Sequence, residues 1–221
     1  MKKQNLVIMF DLDGTLLDTN ELIFQSFIHT FKHYMPEKKL TQEELISFLG
    51  PTLHDSFNRY FDKNLIKELI EFYRAYNHAH HLDYVTIYPK VIETLDYLKK
   101  QGYHLAIITT KANFVAKIGL DLFDLSKYFD LIIGMDDVNK PKPNPEGILK
   151  TLEYFNQTKG IFIGDSDTDI LAGQQANIYT VGVTWTMKPV ETLTSLKPNL
   201  MISSIDQLIP YIKKLEVETN E

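Results

Sequence analysis

Leu6-Val-Ile-Met-Phe10, followed at once by Asp11-Leu-Asp-Gly-Thr15, is the stretch on which the fold turns. Five apolar residues in an unbroken run fit a strand buried on both faces, as in a parallel sheet covered by helices on both sides. The run stops at Asp11, so Asp11 and Asp13 stand at the carboxyl end of the strand with Leu12 between them. Working outward, similar runs recur at residues 105–108, 131–133, 161–163 and 180–183. Helical spacings fill the intervals: Val91, Leu95 and Leu98; Phe114, Ile118 and Leu122; Ile148, Leu149, Leu152 and Phe155. Strands alternating with helices of this length predict βαβ units and an α/β core.

Between residues 16 and 84 no strand-like run occurs. Leu22, Ile23, Phe27 and Phe31 keep a helical spacing, and Thr41-Gln-Glu-Glu44 has the form of a capping box opening a helix through Leu45, Phe48 and Leu49. Leu65, Leu69, Phe72, Tyr73 and Tyr76 continue the pattern past a loop around Asp62. About 65 residues of helix are too many for a simple crossover. They predict a separate helical domain, residues 17–83, inserted into a core made of residues 1–16 and 84–221. The two crossings, at residues 16–20 and 81–84, are the expected hinges. Phe24, Phe27, Phe31 and Tyr34 fit packing inside or beneath the insert, and Trp185 fits buried packing after the last core strand. Residues 216–221 are polar and fit a frayed end.

The chain has 221 residues, with 23 Lys plus Arg against 29 Asp plus Glu and a formal net charge of −6. Hydrophobic residues at 44% and charged residues at 24% exclude bulk disorder. A mildly acidic balance supplies no diffuse positive field for phosphate backbones, so no nucleic-acid partner is expected. The absence of cysteine excludes a disulfide scaffold, a zinc ribbon and a cysteine nucleophile together, and fits a reducing compartment. No apolar run approaches the ~20 residues that span a bilayer, and residues 5–10 are too short for a signal-peptide core. The expectation is a cytoplasmic protein, monomer or homodimer, with no membrane partner.

In open parallel sheets the ligand sits beyond the carboxyl ends of the strands. There the first strand delivers Asp11 and Asp13, and the strand at 105–108 delivers Thr109, Thr110 and Lys111. The loop after residue 133 carries Lys140-Pro-Lys142-Pro-Asn-Pro145, and the strand at 161–163 delivers Gly164-Asp-Ser-Asp-Thr-Asp169. Carboxylates, hydroxyls and lysines on one rim suit phosphoryl chemistry with magnesium. Clustered carboxylates repel unless a divalent cation neutralises them, and hard oxygen ligands favour Mg²⁺. One carboxylate can attack phosphorus, and a second, two residues on, can protonate the leaving oxygen. An EF-hand is the rival explanation, and it fails. Its sixth and twelfth positions need Gly and Glu, whereas counting from Asp165 they hold Ile170 and Ala176, and from Asp11 Leu16 and Leu22. Asp167, between two acidic neighbours, fits a helix cap better than a ligand. His78, His80 and His81 are not spaced to aim three imidazoles at one ion.

These residues resemble the haloacid dehalogenase superfamily in its phosphatase form. Asp11-Leu-Asp-Gly-Thr-Leu-Leu-Asp-Thr19, Thr109 at a strand end, Lys142 in Lys-Pro-Asn-Pro-Glu146, and Gly164-Asp-Ser-Asp-Thr-Asp169 match four signatures in order. The resemblance covers nearly the whole chain and implies a Rossmann-like α/β core with an inserted all-helical type-1 cap. It implies that Asp11 is nucleophile and Mg²⁺ ligand. Asp13 would be the general acid and base, and its main-chain carbonyl a second ligand. It further implies that Thr109, helped by Thr110, and Lys142 bind the phosphoryl group, that Asp165 binds the metal, and that Asp169 is ligand or support. Dehalogenases of the superfamily lack a carboxylate at the position of Asp13, so dehalogenation is excluded.

Within the family, Gly50-Pro-Thr-Leu-His-Asp55, Tyr73-Arg-Ala-Tyr-Asn-His78, Thr109-Thr-Lys111 and Val183-Thr-Trp-Thr-Met-Lys188 resemble a pyrophosphatase subfamily. The expected substrate is therefore a small phosphate compound, with inorganic pyrophosphate first. A phosphoglycolate phosphatase or broad phosphomonoester phosphatase is the alternative, and a β-phosphoglucomutase-like phosphomutase the further one. Arg74 and Lys63 are the insert's candidates for meeting a second phosphate.

Overall fold

The apolar run before Asp11 is strand β1 (Val7–Phe10), and all four of its residues are buried. The structure, a computed structural model, describes residues 6–218. The strands that follow are β2 (Leu17–Asp18), β3 (Thr86–Ile87), β4 (His104–Ile108), β5 (Leu131–Ile133), β6 (Gly160–Gly164), β7 (Tyr179–Val183) and β8 (Leu200–Ile202). Six of them form one sheet in the order β5-β4-β1-β6-β7-β8, and every neighbouring pair is parallel.

The strand side chains alternate between two layers. Val7, Met9, Ala106, Ile108 and Phe162 pack on one face with Ile148 and Leu152 of helix. Ile8, Phe10, Leu105, Ile107, Ile161 and Ile163 pack on the other with Leu95, Leu98, Leu120 and Leu208. Burial on both faces is why these strands read as continuous apolar runs rather than alternating ones. The sheet is central, and β1 lies between β4 and β6, which lead off in opposite directions. That arrangement leaves a crevice at the carboxyl ends of the strands.

The helices are α1 (Asn20–Tyr34), α2 (Gln42–Ile46), α3 (Leu53–Phe57), α4 (Ile66–Ala79), α5 (His81–Tyr84), α6 (Val91–Lys100), α7 (Asn113–Leu122), α8 (Glu146–Phe155), α9 (Asp167–Gln175), α10 (Val190–Ser195) and α11 (Leu208–Glu218). Helices α1 to α4 contribute to a core of their own, in which Phe27, Phe31, Phe48, Phe57 and Leu69 are buried together. Phe27 stacks on Phe48 with ring centroids 4.0 Å apart and lies against Tyr73 at 4.8 Å. The capping box at Thr41 is present: its hydroxyl accepts from the Glu44 amide, and Glu44 accepts from the Thr41 amide. No helix among the described residues is long and apolar enough to cross a membrane.

Five expectations change. The stretch from 16 to 84 does contain a strand, because β2 pairs antiparallel with β3, Leu17 opposite Ile87 and Asp18 opposite Thr86. The chain before α1 and the chain after α5 are thus tied side by side by a short ribbon. The sheet also has a sixth strand, β8, at its edge. Helix α2 ends at Ile46, so Phe48 and Leu49 enter the insert's core from the turns that follow. Trp185 is half-buried, its ring 5.7 Å from that of Tyr88. At the polar end, residues 216–218 continue α11, and residues 219–221 lie outside the described residues.

Candidate active site

Strand β1 delivers Asp11 to the middle of the crevice, where its amide donates to the Ile163 carbonyl at 2.8 Å. The chain then turns sharply. Gly14 has φ +74°, and a Cβ there would stand 2.4 Å from Oδ2 of Asp165, so the turn has room only for glycine. The Gly14 amide donates to the Leu17 carbonyl at 2.8 Å and closes the turn. From the end of β6, Asp165 comes within reach of Asp11, and its carboxylate accepts a long hydrogen bond of 3.4 Å from the Thr15 hydroxyl. Oxygens of Asp11, Asp165 and Asp169 lie within 4.8 Å of one another, all three residues buried.

Lys142 holds two of these carboxylates. Its Nζ is 2.8 Å from Asp11 Oδ1 and 2.6 Å from Asp169 Oδ1. The other oxygen of Asp169 accepts from the Ser166 amide at 3.0 Å and from its hydroxyl at 2.6 Å. Both oxygens of Asp169 are therefore taken, which suits a support for Lys142 better than a metal ligand. Lys140, its neighbour in sequence, is exposed. Its loop is fixed by Glu146, which accepts from the amides of Asn139 and Lys140 at 3.0 and 2.9 Å.

Burial dominates the electrostatics. It pushes the Asp11 carboxyl up to about 7, although Lys142 pulls the other way. Burial also raises Asp165 well above the usual carboxylate range, and the charges of Asp169 and Asp11 add to it. Lys142 is desolvated too, yet Asp11 and Asp169 keep it firmly protonated. Two buried carboxylates that resist ionisation are what a divalent cation would correct, since its charge offsets both causes.

The crevice opens into a cleft of about 820 Å³, counting its open mouth. Asp11, Asp13, Thr110 and Asp165 line it, as do Phe27, Leu49 and Tyr73 of the insert. Thr109, Lys142 and Asp169 are buried but do not line it. The Thr109 hydroxyl accepts from the Lys111 amide at 3.2 Å, and the Thr110 hydroxyl lies 3.5 Å from the Gly50 carbonyl of the insert. Asp13 is held by two donors, the Thr19 hydroxyl and Lys111 Nζ, each at 2.6 Å from Oδ1.

The structure revises several expectations about side chains. Asp167 is not the cap of α9; Ser166 is, in a capping box with Asp169, while Asp167 pairs with Lys188 at 2.7 Å. Lys63 is exposed on the turn Lys63–Leu65 and does not line the cleft, whereas Arg74 does. The three histidines diverge. His78 lines the cleft, His80 Nδ1 bonds Asp83 at 2.8 Å, and His81 is buried. The contact of Lys111 with Asp13 spans 98 residues of sequence, and only its position at a strand end gave a signal. Thr15 and Thr19 carried no signal beyond lying close to Asp13.

Residues 8–183 match the family model of the haloacid dehalogenase-like hydrolases. The chain is 40% identical over 210 residues to pyrophosphatase PpaX of Bacillus mycoides, a match covering 94% of this chain and 97% of that one. Among solved structures, a haloacid dehalogenase-like family hydrolase from Streptococcus pneumoniae is similar with a TM-score of 0.82 at 27% identity, covering 96% of this chain and 100% of that one. A predicted phosphoglycolate phosphatase from Haemophilus somnus shares the fold with a TM-score of 0.81 at 23% identity, covering 93% of this chain and 97% of that one. The sheet order, the carboxylates at its strand ends and these similarities agree, and the chain belongs to the haloacid dehalogenase-like hydrolases.

Proposed function

We propose that this enzyme is a Mg²⁺-dependent phosphohydrolase that carries the phosphoryl group on Asp11, with inorganic pyrophosphate as its substrate. The observation that carries the proposal is the position of Asp11, buried beside Lys142 and Asp165 yet lining a cleft that also holds Asp13. The preference for pyrophosphate is supported by the 40% identity to a pyrophosphatase.

In the first step an Asp11 oxygen attacks phosphorus, the bond from phosphorus to the leaving oxygen breaks, and that oxygen takes a proton from Asp13. Water then attacks the aspartyl-phosphate, gives its proton to Asp13, and frees Asp11. One water is consumed, and pyrophosphate yields two phosphates. Lys142 offsets charge on Asp11 and on the phosphoryl oxygens, Asp169 keeps Lys142 in place, and Thr109 and Thr110 offer hydroxyl or amide donors to the same oxygens. The residues fit a divalent cation. Carboxylates of Asp11 and Asp165, with the Asp13 carbonyl, would hold Mg²⁺, which keeps Asp11 ionised and offsets phosphoryl charge when bound.

Residues 17–83 act in this scheme as a cap over a core of residues 1–16 and 84–221. Their separate aromatic core and the approach of Gly50 to Thr110 support that division. The β2–β3 ribbon is the hinge, and closure keeps bulk water from the acyl phosphate. Phosphoglycolate is the second candidate, because the basic groups of the cleft suit a carboxylate as well as a phosphate. The test is phosphate release with and without Mg²⁺ from pyrophosphate, phosphoglycolate, sugar phosphates and nucleotides, with Asp11→Asn as the blank. A kcat/KM for pyrophosphate above the others, lost in Asp11→Asn, is expected. Undiminished release by Asp11→Asn would overturn the assignment.

A further inference from the structure

The cleft holds basic groups that the chemistry at Asp11 does not use. Arg74 and His78 reach it from α4, one helical turn apart, and Lys111 reaches it from the loop after β4. Lys111 Nζ lies 2.6 Å from Asp13 Oδ1, and Asp13 is the group assigned to the leaving oxygen. Lys111 therefore stands on the leaving-group side of the scissile bond, whereas Lys142 stands on the side of Asp11.

Arg74 differs from the other cations near the site. Lys111, Lys142 and Lys188 each have a carboxylate partner. Arg74 lines the cleft half-buried, and among the described residues its guanidinium has no ion-pair partner. A guanidinium offers five donors in a planar fork that fits a phosphate or carboxylate edge. Lys111 has three protons and spends one on Asp13, so it can keep that partner while meeting a second anion. The remaining lining from the insert includes Ile23, Phe27, Leu49 and Leu53, which by themselves would suit an uncharged, apolar leaving group.

We infer that Lys111 from the core and Arg74 from the insert together bind the leaving group, and that they select phosphate compounds whose leaving group carries a negative charge of its own. This inference rests on the phosphohydrolase assignment and deepens it. An anionic leaving group bridges the two bodies that form the cleft. A neutral one leaves Arg74 unanswered and gives Lys111 nothing beyond Asp13.

The experiment compares phosphoglycolate with ethyl phosphate, which lacks the leaving group's carboxylate, and pyrophosphate with p-nitrophenyl phosphate, an activated ester whose bound leaving group is uncharged, with Mg²⁺ throughout. The readout is the ratio of kcat/KM within each pair, which misfolding or a lower fraction of active enzyme leaves unmoved. Lys111→Met and Arg74→Met should each lower the anionic-to-neutral ratio by about 10- to 100-fold, the range of a lost hydrogen bond to a charged group. Lys111→Arg should restore most of the ratio. Arg74 has no ion pair among the described residues to lose, so its variant tests the inference even if Lys111→Met folds poorly. Equal losses on both members of a pair, or a wild-type preference for ethyl phosphate over phosphoglycolate, would overturn the inference and leave the hydrolase assignment standing. No release from any of the four by the wild type would overturn both.

Discussion

The acidic floor of the cleft and its basic wall are built in opposite ways. Asp11, Asp165, Asp169 and Lys142 are all buried, and Lys142 ties Asp11 to Asp169 through ion pairs of 2.8 and 2.6 Å. Arg74, His78 and Lys111 are half-buried, stand on helix α4 and the loop after β4, and among the described residues hold one short ion pair, from Lys111 to Asp13. The floor is held by the ends of β1 and β6 and the first turn of α9, and Lys142 supplies the counter-charge of Asp11 and Asp169. The wall depends on long side chains and on how the insert sits over the core. The reaction should therefore belong to the floor and the choice of leaving group to the wall, and each can be altered without the other.

Substitutions in the floor should act on every substrate alike, and the largest effect should come from Asp11. Asp11→Asn should lower kcat by about 10⁴-fold or more, as expected when the nucleophile is lost. Asp13→Asn should cost about 10²–10⁴-fold, the range for a missing general acid and base. Rate measurements on pyrophosphate and phosphoglycolate check both. A variant that loses one substrate and keeps the other would break the division between floor and wall.

Lys142→Met sharpens the comparison through stability. It leaves Asp11 and Asp169 buried with their partner removed, and breaking a buried ion pair in this way costs about 3–5 kcal/mol. Urea unfolding in the absence of divalent cation should show that loss. Lys111→Met should cost much less, because Asp13 keeps its bond from Thr19 and is less deeply buried.

The smallest predicted effect concerns His81, behind the wall. Its ring is buried, neither nitrogen meets a hydrogen-bond partner in bonding geometry among the described residues, and a Cβ on Gly119 would lie 3.3 Å from Nε2. Burial first, and the charge of Lys111 next, hold its pKa down to about 4. Above the unfolded value of about 6.5 the ring is neutral in both states and adds no pH dependence. Between about 6.5 and 4 the unfolded chain takes up a proton that the folded one refuses, so His81 lowers stability as the pH falls. Relative to the wild type, His81→Leu should gain about 2 kcal/mol on going from pH 8 to pH 5, measured by urea unfolding at both. Parallel losses in the two proteins would show that the ring titrates freely in the fold.

The same contrast explains what could be read from the sequence. Strands buried on both faces leave continuous apolar runs, so β1, β4, β5, β6 and β7 were legible, and with them the positions of Asp11, Asp13, Thr109 and Asp165 at strand ends. Helices α1, α2 and α4 are legible because helical period and the Thr41–Glu44 capping box are local signals. The β2–β3 ribbon has only two residues per strand, too few for any period to appear. Asp167 resembles a cap in sequence because the capping box here uses Asp169 where glutamate is usual, leaving three acidic residues within five positions. The wall was the least legible part. Nothing local distinguishes Arg74 in the cleft from Lys63 outside it, and the contact of Lys111 with Asp13 exists only once β1 and β4 are paired.

The most direct test of the central claim is to quench the enzyme in acid during turnover of pyrophosphate with Mg²⁺ and to locate the phosphoryl group by peptide mass spectrometry. Asp13→Asn, in which breakdown of the intermediate should be slowed, would be quenched alongside. The account predicts a hydroxylamine-sensitive phosphoryl adduct on the peptide containing Asp11. A stable adduct on any other residue, or phosphate release from Asp11→Asn at the wild-type rate, would contradict it.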